Sequence, residues 1–133
     1  MNKTFSATLS NLKNIRLFVT NFLNDYELEM KLVNNIKLAV DESVSNIIKH
    51  SYKVEDKKNK IEIKLEIIEK KLFIHLFDNG TPVKQKNIQP RNLKDIKPGG
   101  LGSYFINEIM DEVKWKTKSK DWVNHLILIK TIY

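Results

Sequence analysis

The pattern of apolar and polar residues predicts five strands and three helices. Alternation between Lys3 and Leu9 predicts a short first strand. Apolar residues at helical spacing predict a helix that begins at Ser10 or Asn11 and runs to about Tyr26. A second, longer helix is predicted over 28–51. Its apolar stripe consists of Val33, Ile36, Val40, Val44 and Ile47.

A hairpin follows the charged stretch 52–60. Apolar and charged residues alternate over 61–67, which predicts a strand with one wet face. After a tight turn at 69–71, the apolar run 72–77 predicts a central strand. No periodicity is visible over 79–98, which holds all three prolines, and a loop of this length is typical of a lid or binding loop.

The remaining residues complete an α+β pattern. A glycine-rich segment at 99–102 opens a helix to about Glu112, and strands are predicted over 113–117 and 123–132. The order β-α-α-β-β-loop-α-β-β does not alternate as a doubly wound sheet would. It predicts a two-layer α/β sandwich, formed by a single domain over residues 1–133.

Composition narrows the function classes. The formal charge is +7, but 21 of the 23 basic residues are lysine, and Arg16 and Arg91 are the only arginines. Arginine is the residue that proteins favour for hydrogen bonds to base edges and for bidentate contacts with phosphate. We therefore expect no direct nucleic-acid partner. The chain has no cysteine, and the three histidines are too scattered along it for a usual transition-metal cluster. It shows neither a membrane-length apolar run nor a signal core, so we expect a cytoplasmic protein without a membrane partner.

Three polar elements carry candidate chemistry. Glu42, Asn46 and His50 share one face of the second helix, opposite its apolar stripe. They form either a solvated face or a site where a carboxylate and a carboxamide hold a cation and activate a hydroxyl. The segment 78–80 is either a plain turn or a carboxylate that accepts a hydrogen bond from an exocyclic amine. The helix opening at 99–103 could bind phosphate, although it lacks the Lys-Ser/Thr of a P-loop.

In this order and spacing, the elements resemble the anti-sigma-factor serine/threonine kinases, which belong to the histidine-kinase-like (GHKL) ATPases. Residues 38–52 are similar to the family's N-box, and 78–80 to its D-x-G box. Residues 99–106 resemble its second glycine box, and 110–113 and 126–130 its closing segments. The resemblance implies the Bergerat fold, with a mixed sheet and helices on one face.

The resemblance also implies roles for individual residues. Glu42 would be the catalytic general base, Asn46 would hold Mg²⁺, and Asp78 would accept a hydrogen bond from the adenine amine. Asn124 or Thr117 could replace a late-strand threonine of the family. The other residues implied around the nucleotide are Gly80, Val83, Gly99, Gly100, Leu101, Gly102 and Ser103. Candidates for phosphate or lid contacts are His50, Arg91, Lys94 and Lys97.

The implied activity is transfer of the ATP γ-phosphate to a Ser or Thr of an anti-sigma-factor antagonist. The same domain would sequester a sigma factor, with ATP and Mg²⁺ as cofactors. The resemblance also implies a homodimer formed through the first helix. Leu17, Phe18 and Phe22 widen the apolar face of this helix, and they either form that interface or simply pack in the core. The alternative is a nucleotide-dependent binding regulator without kinase turnover, and Glu42 favours the enzyme over it.

Overall fold

Five strands and three helices account for most of the regular structure in a computed structural model. It describes residues 1–82, 101–117 and 121–133, with the backbone alone at 101–104 and 117. The strands are β1 (Asn2–Ala7), β2 (Asp56–Ile68), β3 (Lys71–Asp78), β4 (Glu112–Thr117) and β5 (Asn124–Thr131). The helices are α1 (Leu12–Leu23), α2 (Met30–Asn46) and α3 (Leu101–Ile109). Short 3-10 segments at Leu9–Asn11 and Asn24–Tyr26 flank α1, and a π-helical turn at Ile47–Tyr52 follows α2.

The strands form one sheet in the order β1-β2-β3-β5-β4, which confirms β3 as the central strand. All four pairings between the described strands are antiparallel, so the expected mixed sheet is wrong. The reason lies in the position of β5. Strands β3 and β4 run in the same direction with α3 between them in sequence, but β5 inserts between them and pairs with both.

A layer of helices covers one face of the sheet. Burial alternates strictly along β3, where Leu72, Ile74 and Leu76 are fully buried. The same alternation on β2 and the apolar stripes of α1 and α2 complete the core. Burying each such side chain stabilises the fold by about 1.5–3 kcal/mol. Arg16 of α1 also binds Asp41 of α2 at 2.8 Å, which joins the first two helices.

The other face of the sheet carries polar and aromatic side chains. His75 Nδ1 lies 2.8 Å from His125 Nε2, and His75 Nε2 lies 3.0 Å from Glu66 Oε1. The sheet therefore brings together two of the histidines that are scattered in sequence. Within the described residues, no group of three or more His, Cys, Asp or Glu side chains is placed to hold a metal ion.

Several element boundaries differ from the expectations: α1 ends at Leu23 and α3 at Ile109, a few residues earlier than predicted. Strand β2 begins at Asp56 instead of Ile61, because its polar first half pairs with β1, where Ala7 lies opposite Asp56. Helix α2 ends at Asn46, and the chain continues to Tyr52 as the wider π-helical turn. No helix among the described residues has the combined length and apolar character needed to cross a bilayer.

Candidate functional site

A buried carboxylate at the end of the central strand is the centre of the site. Asp78 is 1% exposed, and three donors converge on its Oδ1. These are the Ser51 hydroxyl at 2.6 Å, the Gly80 N–H at 2.9 Å and the Asn124 side-chain N–H at 3.0 Å. Because a buried carboxylate is costly unless donors surround it, these bonds allow Asp78 to remain in the core.

Ser51 and Asn124 come from two different elements. Asn124 is the first residue of β5 and lies opposite Asp78 in the β3–β5 register. Its Nδ2 also lies 3.2 Å from Ser51 Oγ and 2.9 Å from the Thr81 carbonyl oxygen. Ser51 belongs to the π-helical turn, and its carbonyl accepts a hydrogen bond from the Thr81 N–H at 2.8 Å. The sheet and the turn therefore jointly position the Asp78 side chain.

Gly80 has no room for a side chain. A Cβ at this position would lie 2.2 Å from Ser51 Oγ, 2.5 Å from Ser51 C and 2.6 Å from its carbonyl oxygen. The close approach of Gly80 to the π-helical turn therefore requires glycine. This contact, together with the hydrogen bonds to Asp78, distinguishes 78–80 from a plain turn.

Tyr52 and Asn79 fix the outer side of the same turn. The Tyr52 hydroxyl accepts a hydrogen bond from the Asn79 N–H at 2.8 Å and donates one to the Lys60 carbonyl. Burial, with Asp78 nearby, raises the pKa of Tyr52 above its ordinary value. The Asn79 side chain accepts from the Val123 N–H at 2.9 Å, which ties the turn to the start of β5.

The polar face of α2 is partly as predicted. Glu42 and Asn46 are half-buried on the last two turns of the helix. Asn46 is not free of interactions. His50 is exposed and lies in the π-helical turn, beyond the end of α2. Since a π-helical turn contains more residues than an α-helical one, His50 leaves the straight line expected from i, i+4, i+8 spacing.

The glycine-rich segment can be placed only in part. Helix α3 begins at Leu101, so the backbone of Leu101, Gly102 and Ser103 forms its first turn. This agrees with the prediction that the segment opens a helix. The other predicted residues from this region, Val83, Arg91, Lys94, Lys97, Gly99 and Gly100, lie outside the described residues, as does the Thr117 side chain.

Two residues of the carboxylate site were not among the chief candidates. Ser51 lies within the segment 38–52 that resembles the N-box, without a role of its own, and Asn124 is one of two possible replacements for a threonine of the family. Asn124 had a usable signal, because it is a polar residue at the start of an otherwise apolar strand. Ser51 had none, since its position depends on the change from α- to π-helical geometry.

The geometry permits recognition of a planar ligand that carries an N–H donor. The three described donors to Asp78 all bind Oδ1, and none of them binds Oδ2. None of the four ion pairs found in the described part of the chain includes Asp78. The carboxylate thus acts as an acceptor held by neutral donors, beside a glycine that packs directly against the π-helical turn.

Comparison with known proteins relates the chain to kinase-like ATPase domains. The family model for the histidine kinase-like ATPase domain matches residues 5–130. Serine-protein kinase RsbW of Staphylococcus aureus (strain MRSA252) is 33% identical over 89 residues, which are 61% of this chain and 56% of that protein. RsbW of Listeria monocytogenes serotype 4b (strain F2365) is 33% identical over 90 residues, which are 62% and 57%. The match thus spans little more than half the length of these relatives.

Solved structures share the fold at low sequence identity. The RsbU and RsbW domains of Rv1364c from Mycobacterium tuberculosis superpose with a TM-score of 0.71 at 14% identity, over 99% of this chain and 31% of that one. The catalytic domain of the histidine kinase ThkA gives a TM-score of 0.57 at 16% identity, over 99% and 97%. The expected Bergerat-type architecture is confirmed by these neighbours.

Proposed function

Because the chain belongs to the histidine kinase-like ATPase domain family, we propose that it binds ATP with Mg²⁺ and acts as an anti-sigma factor with serine/threonine-kinase activity. The observation that carries the nucleotide site is the buried Asp78 carboxylate beside Gly80. Its geometry suits the edge of an adenine base, whose exocyclic amine is a hydrogen-bond donor.

The side chains around Asp78 and on α2 are of the kinds that ATP and Mg²⁺ need. Asp78 would accept from the adenine amine, and Gly80, which packs against Ser51, would hold the Asp78 turn beside the base. Asn46 supplies a carboxamide oxygen of the kind that Mg²⁺ accepts as a ligand. When bound, Mg²⁺ would neutralise charge on the transferring phosphate. The first turn of α3, with Gly102 and Ser103, would lie along the phosphates because helix N-termini attract anions.

Glu42 is the proposed general base. It lies one helical turn before Asn46 on the same face of α2, so both side chains can address the same phosphoryl group. A glutamate there would orient an acceptor hydroxyl and take its proton. His50, which is exposed, would contact phosphate or the lid, together with Arg91, Lys94 or Lys97. Val83, Gly99, Gly100 and Leu101 complete the proposed nucleotide surroundings.

The proposed partners are a small anti-sigma-factor antagonist that receives the phosphate and a sigma factor that the domain sequesters. Both extend the resemblance of the sequence to the anti-sigma-factor kinases, and the 33% identity to two serine-protein kinases named RsbW supports that resemblance. A homodimer and a cytoplasmic location belong to the same proposal. On α1, the exposed Leu17 is an apolar side chain that a partner could cover.

Thermal unfolding with and without Mg-ATP tests the nucleotide site. Ligand at about 100 times its dissociation constant stabilises a fold by about 2.7 kcal/mol, or on the order of 10 °C for a chain of this size. We expect such a shift for the native chain, and its loss in Asn46→Ala. Asn34→Ala, on an exposed position of the same helix, is the matched control and should keep the shift. No shift with the native chain at millimolar Mg-ATP would overturn the proposal.

Phosphate transfer separates the kinase from a binding regulator without turnover. Labelled ATP is incubated with the chain and each small anti-sigma-factor antagonist of the source organism. Glu42→Gln should retain the Mg-ATP thermal shift but lose transfer by about 100-fold or more, as expected for removal of a general base. Glu69→Gln in the β2–β3 turn is the control. A native chain that binds Mg-ATP without any transfer would favour the binding regulator.

A further inference from the structure

Ser51 and Asn124 form a clamp on Asp78 that involves all three side chains. Their relative exposures are 8%, 0% and 1%, and each is hydrogen-bonded to the other two. A core position normally favours apolar side chains, because buried polar groups stabilise little even when fully paired. Three such groups in one cluster therefore call for an explanation beyond packing.

We infer that Ser51 and Asn124 are specificity-positioning residues, which orient Asp78 so that the site selects purines with a 6-amino group over those with a 6-carbonyl group. This inference rests on the proposed nucleotide function. It assigns base selectivity to two residues that need not touch the nucleotide.

The argument starts from what the clamp does to the carboxylate. A free Asp side chain can rotate and offer either oxygen, or both, to a ligand. Here the Ser51 hydroxyl, the Gly80 N–H and the Asn124 N–H all bind Oδ1 at 3.0 Å or less. Rotation would break three hydrogen bonds to a charged acceptor, so Oδ1 stays with these donors. None of the donors in the described part of the chain binds Oδ2, which is the oxygen that would face the ligand.

A carboxylate oxygen in one fixed position discriminates by hydrogen-bond polarity. It accepts from the 6-amino group of adenine but repels the 6-carbonyl oxygen of hypoxanthine. A carboxylate free to rotate can instead reach the N1–H of hypoxanthine and recover a hydrogen bond. Loss of the clamp should therefore reduce selectivity more than it reduces affinity for ATP.

The attachment of the clamp to rigid elements supports this role. Asn124 is paired with Asp78 in the sheet, and Ser51 is fixed through its carbonyl by the Thr81 N–H at 2.8 Å. Gly80 packs against Ser51 so closely that a Cβ there would lie 2.2 Å from Ser51 Oγ. Neither clamp residue can move without disturbing backbone contacts, so the acceptor position is preset before a ligand arrives.

Isothermal titration with Mg-ATP and with Mg-ITP, its 6-carbonyl analogue, tests the inference. For the native chain we expect the ITP dissociation constant to exceed that of ATP about tenfold or more. Ser51→Ala and Asn124→Leu should each lower this ratio about fivefold or more. Asn124→Ser, which retains a hydroxyl donor, should recover part of it. Ser43→Ala, at a buried serine whose hydroxyl donates to the Ala39 carbonyl at 2.7 Å, should leave the ratio unchanged.

The outcomes are separable. A purely structural role would weaken ATP and ITP binding equally, so an unchanged ratio in folded Ser51→Ala and Asn124→Leu overturns the inference. If Asn124→Leu fails to fold by circular dichroism, Ser51→Ala and Asn124→Ser decide the question. A native chain that binds ATP without preferring it over ITP also overturns the inference and leaves the nucleotide site intact. A native chain that binds neither nucleotide overturns the proposed function, and the inference with it.

Discussion

Asp78 and Asn124 lie directly opposite each other in the β3–β5 pairing, and the Asn124 carboxamide donates to Asp78 Oδ1 over 3.0 Å. The two residues are 1% and 0% exposed. An acid and an amide thus form a cross-strand pair at the end of the sheet, where apolar pairs such as Leu76 with Leu126 precede them. The sheet changes at this one pair from a packing surface into a polar site.

The polarity of this pair makes Asp78→Asn informative. The Ser51, Gly80 and Asn124 groups that face Oδ1 are all donors, so the new amide must turn its oxygen toward them. Its NH₂ group then replaces the acceptor offered to the ligand. We expect ATP binding to weaken about tenfold or more and the ATP-to-ITP preference to invert, measured by titration calorimetry. Asp25→Asn, an exposed control, should change neither constant. A retained preference for ATP would contradict the assigned orientation.

Gly80→Ala should destabilise the fold. The added Cβ meets two backbone atoms of Ser51 at 2.5 and 2.6 Å, and backbone cannot move aside as a flexible side chain can. We expect a loss of about 1–3 kcal/mol in the free energy of unfolding, measured with urea. Thr81→Ala, next in sequence and exposed, should stay within about 0.5 kcal/mol of the native chain. Of the three close contacts, Ser51→Ala removes only the one with Oγ. A double variant as stable as Ser51→Ala alone would therefore show that the backbone contacts are not limiting.

His125 should make the fold sensitive to mild acid. Burial, followed by the charges of His75, Lys116 and Lys64, lowers its pKa from 6.5 to about 4. Between these pH values the unfolded chain binds a proton that the folded chain excludes. The free energy of unfolding therefore falls as the pH drops from about 6.5 to about 4.

Two measurements check this behaviour. The His125 ring resonance should titrate near pH 4 in the folded chain. His125→Phe, which preserves a ring stacked 4.1 Å from Phe77, should flatten the decline in urea stability over that range. Glu66 also faces this cluster through His75, so the slope is to be compared in the Glu66→Gln background. An inflection of the His125 resonance near 6.5 would refute the prediction.

In the Arg16–Asp41 pair between α1 and α2, removing the arginine alone should cost more stability than removing both charged side chains. Asp41 Oδ2 binds Arg16 at 2.8 Å, while its Oδ1 is buried without a hydrogen-bond partner among the described residues. Arg16→Met leaves a poorly solvated carboxylate. Asp41→Leu removes this carboxylate and the cost of burying it. We expect the double variant to be at least as stable as Arg16→Met alone, with a coupling of about 0.5–1 kcal/mol in urea unfolding. Additive losses would rule out the pairing as a source of stability.

Sequence reasoning succeeded where the signal was local. The D-x-G turn, the central strand and the helix opened by the glycine-rich segment follow from short patterns in which neighbouring residues determine the structure. The α2 stripe predicted which face packs on the sheet, because helical periodicity relates residues three and four apart. Glu42 and Asn46 were placed on the opposite face for the same reason.

The features that sequence reasoning did not predict depend on contacts between residues far apart in the chain. Ser51 and Asn124 are 73 positions apart, and only the sheet register and the π-helical turn bring them to Asp78. His75 and His125 meet across 50 positions in the same way. The direction of neighbouring strands was also beyond local patterns, since it required knowing that β5 inserts between β3 and β4.

The β2–β3 turn offers a way to study those site variants that strongly destabilise the fold. Glu69 and Lys70 both adopt left-handed backbone conformations, with φ of 49° and 68°, although neither is the glycine or asparagine that tolerates them best. A residue pair that favours this backbone conformation should therefore stabilise the hairpin, at a point remote from Asp78. Asn-Gly in this turn would supply a sturdier parent chain, in which site substitutions too damaging for the natural sequence could still be purified and assayed.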